Sequence, residues 1–261
     1  MKLKFYKYQA TGNDFIIIDN RNNIFDKNNP EIIRFLCNRR FGIGADGVIL
    51  IENHPELHFS MKYFNSNGNE GTMCGNGGRC SVSFSNHIGL IDKYCEFEAI
   101  DGIHHAEIIS SNYVKLELKD VNKIEEGTSH FYLNTGSPHY VKFINNIKQF
   151  KVYDEGKKIR YNDRFKKLGT NVDFVEIFKN FINVRTYERG VENETLSCGT
   201  GVVASALSYF LLKNSCENVV KVVTKGGNIK VSFEYNKNKN LFNNIWLEGA
   251  VENVFKGEID I

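Results

Sequence analysis

The sequence has no run of about 18 apolar residues, the length a membrane helix needs. It has no surplus of one charge either: 33 basic against 31 acidic side chains leave a net charge of +2. That balance argues against a dedicated nucleic-acid or membrane surface. The nearest approach to a basic run, Lys157, Lys158, Arg160, Arg164, Lys166 and Lys167, is broken by Asp163 and reads as a solvated face. From Met1 to Tyr8 charged and apolar residues alternate, as in a strand, where a signal peptide would carry an apolar segment. A cytoplasmic location is therefore expected, where thiols stay reduced. The six cysteines, Cys37, Cys74, Cys80, Cys95, Cys198 and Cys216, include no Cys-x-x-Cys pair. Neither a zinc site nor a disulfide framework is expected. No glycine-rich segment ends in Gly-Lys-Ser/Thr, which removes a Walker loop. Gly42-Ile43-Gly44-Ala45-Asp46-Gly47 spells the dinucleotide fingerprint, but a helix is predicted before it and a strand after it. The fingerprint needs the reverse order, so no nicotinamide or flavin site is expected.

What is present is the composition of a globular protein, 41% hydrophobic and 25% charged, and an internal repeat. The offset that carries Cys74-Gly75 onto Cys198-Gly199 also carries Thr11-Gly12 onto Thr135-Gly136, Tyr63 onto Tyr187 and Gly77 onto Gly201. One offset aligning three separate segments implies two halves of one design. The boundary falls near Asp120 to Gly127, where the pattern turns polar. The expected organisation is residues 1–119, joined by a C-terminal strand within 250–261, and residues 120–249.

Hydrophobic patterning predicts strands at Leu3 to Gln9 and Phe15 to Asp19, joined by a turn at Thr11-Gly12-Asn13. Asn29-Pro30-Glu31 reads as a helix start, with Ile32, Ile33 and Leu36 on one face. Strands are predicted at Val48 to Ile51 and His58 to Phe64, then a helix from Asn76 to Asn86, ended by Gly89. The second half repeats the order: a strand at His139 to Phe143, a helical stretch near 145–160, strands at Val172 to Phe178 and Phe181 to Tyr187. A buried helix follows at Gly201 to Leu212, Lys225-Gly226-Gly227 reads as a hairpin turn, and a last strand is placed at Gly249 to Phe255. Each half is thus a strand-rich α/β unit around one helix, with a Cys-Gly-x-Gly turn at that helix's start.

A cysteine just before a glycine-rich helix start sits where backbone N–H groups lack helical partners and the helix dipole is positive. Those conditions stabilise a thiolate, and the same N–H groups can cradle a carboxylate. A buried thiol that merely packs is the alternative for one such turn, but packing gives no reason to repeat a thiol at a symmetry-related place. Cys37, Cys80, Cys95 and Cys216 have no counterpart at the repeat offset and read as structural. Arg189, in Tyr187-Glu188-Arg189-Gly190, could clamp a carboxylate in the plane of its fork or form a surface ion pair. Two thiols beside carboxylate-binding N–H groups suit removal of an α-proton from one face of an amino acid and its return to the other.

Seven segments carry a resemblance that runs over nearly the whole chain. They are Thr11-Gly12-Asn13-Asp14-Phe15, Gly42 to Gly47, Phe64-Asn65, Cys74-Gly75-Asn76-Gly77, Gly136-Ser137-Pro138-His139, Tyr187 to Gly190 and Cys198-Gly199-Thr200-Gly201. In identity and order they resemble the diaminopimelate epimerase family. The resemblance implies two similar α/β domains, each a strand-rich barrel around a central helix, with the site in the cleft between them. It implies conversion of LL- to meso-diaminopimelate without pyridoxal phosphate, other cofactor or metal, by a homodimer. Cys74 and Cys198 would be the acid–base pair. Gly75, Asn76, Gly199 and Thr200 would receive the reacting carboxylate, and Asn13, Asn65, Asn171, Glu188 and Arg189 the substrate's other groups. His139 and Glu188 would adjust the thiols and the α-amino group. Two positions depart from the pattern. Ser137 stands where the family often has asparagine and can still donate a hydrogen bond. Gly47 stands where some members have a substrate-contacting glutamine, and it cannot. A proline racemase or hydroxyproline epimerase shares the fold and chemistry, but resembles Met-Cys-Gly-His-Gly where this chain has Asn76. From another class, Cys74 and Cys198 could serve a redox or zinc-binding regulator.

Overall fold

The computed structural model describes residues 2–261. Strand β1 (Lys2–Ala10) turns at Thr11-Gly12 into β2 (Asn13–Asp19), with Gly12 at φ 83°, a left-handed conformation that glycine adopts freely. Helix α1 (Pro30–Cys37) begins where Asn29 accepts from the N–H groups of Glu31 and Ile32, with proline in the first turn, and it buries Ile33, Leu36 and Cys37. Strand β3 (Gly47–Glu52) runs parallel to β2, and β4 (Phe59–Asn65) pairs antiparallel with β3. Helix α2 (Gly75–His87) is followed by β5 (Tyr94–Ala99), β6 (Gly102–Ser110) and β7 (Tyr113–Leu118). Its packing partners are β1, β2, β3, β4 and β6. Polar in composition, α2 is nonetheless buried from Gly75 to Ser85. Glycine and serine let the strands approach its backbone closely; Ser81 returns its hydroxyl to the Gly77 carbonyl at 2.9 Å.

The second series opens with β8 (Ile124–Glu126), β9 (His130–Asn134) and β10 (Pro138–Phe143). The helical stretch expected near 145–160 is broken into a 3₁₀ turn at Ile147–Gln149 and helix α3 (Val152–Arg160). The break has a local cause. Asn146 is left-handed at φ 58°, Glu176 accepts from the N–H groups of Asn146 and Ile147, and Arg185 takes the carbonyls of Ile147 and Phe150. Strand β11 (Asn171–Ile177) then runs parallel to β10, followed by β12 (Ile182–Glu188) and β13 (Asn193–Thr195). Helix α4 (Gly199–Lys213) is apolar almost all round and packs on β9, β10, β11, β12, β14 (Val219–Thr224) and β15 (Gly227–Asn236). Strand β16 (Leu241–Ala250) and strand β17 (Glu252–Asp260) complete the chain. A single strand was expected over Gly249 to Phe255. Instead Val251 bonds to the Asn112 carbonyl between two strands, and β17 pairs antiparallel with β1.

The chain divides into two compact units: one runs through Leu116 and adds Gly249–Ile261, the other is Glu117–Glu248. The sequence repeat is also a repeat of register. Phe15 faces Gly47 in the parallel β2–β3 pair, and at the same offset His139 faces Asn171 in β10–β11. Among the described residues no helix is long and apolar enough to cross a membrane.

The buried thiols tie stability to alkaline pH. Burial pushes Cys37 and Cys95 each up to about 12, against an ordinary thiol value of 9.0, and pushes Cys80 up as well. These thiols stay neutral in the fold but ionise on unfolding above pH 9. Their contribution is whole below pH 9 and is lost as pH rises towards 12. The urea midpoints of Cys37→Ala and Cys95→Ala should therefore fall less steeply between pH 9 and 11 than that of the parent chain. Equal slopes would refute the linkage. At the acid end, burial alone would raise the Asp14 carboxyl. Hydrogen bonds and charge from Arg39 and Lys7 win, and hold it at about 2.

Candidate active site

The two cysteine turns adopt one local structure. Cys74 caps α2 at φ −113°, ψ 119°, and Cys198 caps α4 at φ −115°, ψ 113°. Both backbones are extended, so the first helical bond closes on the cysteine carbonyl itself: Gly78 N to Cys74 O at 2.8 Å and Val202 N to Cys198 O at 2.9 Å. The N–H groups of the three residues after each cysteine precede that bond and so have no i−4 helical acceptor. Each thiol is thereby placed at the positive end of a helix, beside N–H donors suited to an anion.

In the first unit, the turn before β2 brings Asn13 to Cys74, with Sγ 3.6 Å from Asn13 Oδ1. Asn76 Nδ2 donates to the same oxygen at 3.3 Å. Asn13 Nδ2 is in turn held by Asp46 at 2.7 Å, so both ends of its amide are fixed. Behind it lies an ion network: Lys7 to Asp14 at 2.7 Å, Arg39 to Asp14 at 2.7 Å, and Arg39 to Asp46 at 2.9 Å. Lys7 also donates to the Gly44 carbonyl. The glycine-rich segment that spells a nucleotide fingerprint thus serves to aim Asp46 at Asn13. Asn65 ends β4 opposite Gly47, makes no side-chain hydrogen bond among the described residues, and is not joined to the Cys74 cluster. At Gly47 itself a Cβ would run into the Phe64 carbonyl and the Tyr63 ring, so this chain has no room there for a longer side chain.

In the second unit, Cys198 heads a relay. Its Sγ lies 3.5 Å from Thr200 Oγ1, which lies 2.8 Å from His139 Nε2, while His139 Nδ1 lies 2.7 Å from Asp173 Oδ2. His139 and Asp173 have no solvent exposure. A carboxylate only accepts, so Nδ1 carries the imidazole proton. In the neutral ring Nε2 then accepts from Thr200, whose oxygen is left to accept from the thiol. Thr186 donates to the other Asp173 oxygen at 2.7 Å. Burial pushes the Cys198 thiol well above its ordinary range. The charges of Glu188 and Asp173 push it further, against weaker opposition from Thr200 and the Gly201 N–H. Asn171 uses its whole amide within the protein: Nδ2 reaches Ser137 at 3.0 Å, the Pro138 carbonyl and His139, and Oδ1 accepts from the Arg189 N–H at 2.8 Å. The Arg189 guanidinium donates to the Leu168 carbonyl at 3.1 Å and to Ser137 at 3.2 Å, and forms no ion pair among the described residues.

Several supporting residues escaped the sequence reading. Thr11 donates to Asn76 Oδ1 at 3.4 Å, and Thr135 donates to the Thr200 carbonyl at 2.8 Å. The two threonines occupy matching positions of the repeat, so their alignment in the sequence is the trace of this shared bracing. Asp46 lies in the glycine-rich segment that carries the family resemblance, whereas Asp173 is an ordinary residue type in a strand and carries no comparable signal. Gly201 is explained by Asp173: a Cβ there would collide with its carboxylate and sit 3.2 Å from His139 Cε1. Among the described residues, no three His, Cys, Asp or Glu side chains gather as metal ligands would.

The fold is that of two-unit proteins whose solved members include a PhzF-family phenazine biosynthesis protein from Bacillus anthracis. The TM-score is 0.78 at 14% identity, with all of both chains covered. A hydroxyproline epimerase from Agrobacterium vitis, with bound trans-4-hydroxy-L-proline, aligns at a TM-score of 0.72 and 10% identity over 99% of this chain and 92% of that one. Sequence narrows the class. The family model described as diaminopimelate epimerase matches residues 5–124 and 131–251, and the chain belongs to that family. It is 48% identical to the diaminopimelate epimerase of Flavobacterium psychrophilum, over 98% of this chain and 100% of that one. To that of Chlorobaculum tepidum it is 42% identical, over 97% and 99%.

Proposed function

We propose that this chain interconverts LL- and meso-diaminopimelate by proton transfer at the α-carbon, with Cys74 and Cys198 as acid and base and no cofactor. The observation that carries this is the pair of thiols, each capping a helix beside its own polar relay. One thiolate removes the α-proton, and the other thiol delivers a proton to the opposite face of the α-carbon, inverting it. Charge that develops on the α-carboxylate is met by N–H groups of Gly75-Asn76 and Gly199-Thr200. Removing one such donor in other enzymes costs on the order of 10²–10³ in kcat. When Cys198 gives up its proton, the Thr200 hydroxyl can turn to donate to the sulfur, with His139 behind it held by Asp173. Asn13, Asn65, Glu188 and Arg189 are read as contacts to the substrate's remaining groups, Asn171 and Ser137 as the brace behind Arg189. We also read the protein as a cytoplasmic homodimer, its halves divided at residues 119–120 and 249–250.

The deciding experiment is an NMR or circular-dichroism assay with LL- and meso-diaminopimelate, with proline and trans-4-hydroxyproline as comparison substrates. Turnover of the diaminopimelates alone is expected; turnover of the imino acids alone would replace this reading with the racemase one. Activity should survive dialysis against EDTA and treatment with hydroxylamine. A large loss restored by pyridoxal phosphate or by a metal would overturn the cofactor-free chemistry.

A further inference from the structure

Arg79, in the second turn of α2, has no solvent exposure. Its Nη2 donates to Asn76 Oδ1 at 3.0 Å and its Nη1 to the Gly75 carbonyl at 3.3 Å. Its Nε has no hydrogen-bond partner, and no carboxylate pairs with it among the described residues. Gly249 closes over the guanidinium, where a Cβ would stand 3.4 Å from Nε and Nη2. Burying a cation without an anion is costly, and such groups are normally paired. The ionisable groups that face Arg79 are Cys74 at the cap of α2, Cys80 within α2 and Tyr113 on β7. Asp14 on β2 also faces Cys80, but it is already paired with Lys7 and Arg39. Of these groups Cys80 is fully buried and burial pushes its thiol up, whereas Cys74 is partly exposed at the helix start. Cys74 is thus the partly exposed thiol whose charge would stand beside the guanidinium.

The hydrogen bonds point the same way. Asn76 Oδ1 receives both Arg79 and Thr11, so the amide cannot flip without leaving two donors unmet. Its Nδ2 is thereby turned to Asn13 Oδ1, the atom beside Cys74 Sγ. The repeat shows that this is a property of one half only. At the common offset Arg79 corresponds to Val203, while His139 and Asp173 correspond to Phe15 and Ile49. The first half has a buried cation and the second a buried imidazole–carboxylate pair, on one scaffold.

We infer that Arg79 is a positioning residue for Cys74: it locks the Asn76 amide and is the buried countercharge that lets Cys74 carry a thiolate. The inference rests on the two-thiol reading above, but its test does not need turnover. The pH profile of alkylation by iodoacetamide would be followed for Cys74 and Cys198 in the same sample by peptide mass spectrometry. In the parent protein Cys74 should be alkylated at lower pH than Cys198; the reverse order would overturn the inference without any variant. Arg79→Met should move the Cys74 profile up by about one pH unit, slowing its alkylation near pH 7 about tenfold. Arg79→Lys, which keeps the charge, should restore most of the shift, and the Cys198 profile should stay in place throughout. A folded Arg79→Met protein with the parent's Cys74 profile would also overturn it. If the parent protein failed to epimerise diaminopimelate while these profiles behaved as described, the catalytic reading would fall and the role of Arg79 would stand.

Discussion

Alanine at Cys74, or at Cys198, should abolish conversion of LL- to meso-diaminopimelate, because either direction needs one base and one acid. Positioned proton transfer by a single side chain is worth roughly 10²–10⁴-fold. In the first unit Cys74 Sγ lies 3.6 Å from the Asn13 amide oxygen, to which Asn76 also donates. In the second, Thr200 stands between Cys198 and the imidazole. Each single variant should still exchange, or eliminate, from the face that keeps its thiol, most visibly with an analogue carrying a good β-leaving group. Deuterium incorporation at the α-carbon in D2O, run beside the conversion assay, separates the two losses. Alanine at Cys37, Cys80 or Cys95 should cost stability of about 1 kcal/mol and little activity. The exposed Cys216 should tolerate alanine freely. Parent-level conversion by Cys74→Ala or Cys198→Ala, or a packing cysteine as essential as these, would sink the two-base assignment.

The second large effect is expected at Asp173. Its two oxygens satisfy His139 and Thr186, and none of its surface is exposed. Asp173→Ala leaves a buried imidazole N–H and a buried hydroxyl without their acceptor. A buried donor left without its acceptor costs about 1–3 kcal/mol, and here there are two. Asp173→Asn keeps the volume but no longer dictates which imidazole nitrogen bears the proton, so the relay to Thr200 and Cys198 loses its sense. Its turnover should fall at least about 10²-fold, by analogy with loss of the orienting carboxylate in a Ser-His-Asp triad, while its unfolding midpoint falls less than that of Asp173→Ala. Gly201→Ala should resemble Asp173→Ala, since the added methyl enters the space of the same carboxylate. An Asp173→Asn enzyme that folds and turns over normally would show the relay to be idle.

The parts of this site legible in the sequence are those with a backbone reason to be where they are. A cysteine followed by Gly-x-Gly marks a helix start, and Thr-Gly marks a turn that needs positive φ at the glycine, 83° at Gly12 and 108° at Gly136. Such requirements restrict residue type, so they leave a readable trace and repeat when the design repeats. Arg79 leaves none: an arginine in a helix predicts a solvated side chain, yet this one lies wholly buried. The break of the expected 145–160 helix was hidden for a related reason, since Arg185 and Glu176, which take its backbone groups, come from β12 and β11.

By itself, the sequence determined the two-fold internal repeat, the strand-rich α/β class, the two helix-capping thiols and the family, because each rests on local backbone demands or on residue identity along the chain. Tertiary structure alone decided what surrounds each thiol. Whether a titratable neighbour raises or lowers a thiol's affinity for its proton depends on distance and burial, and the partners come from strands or turns far off in sequence. Asp173 reaches His139 across 34 residues, and Asp46 reaches Asn13 across 33. Phe15 and His139 occupy matching places in the repeat, and only the packed neighbourhood makes one of them core and the other a hydrogen-bond partner of Asp173 and Thr200.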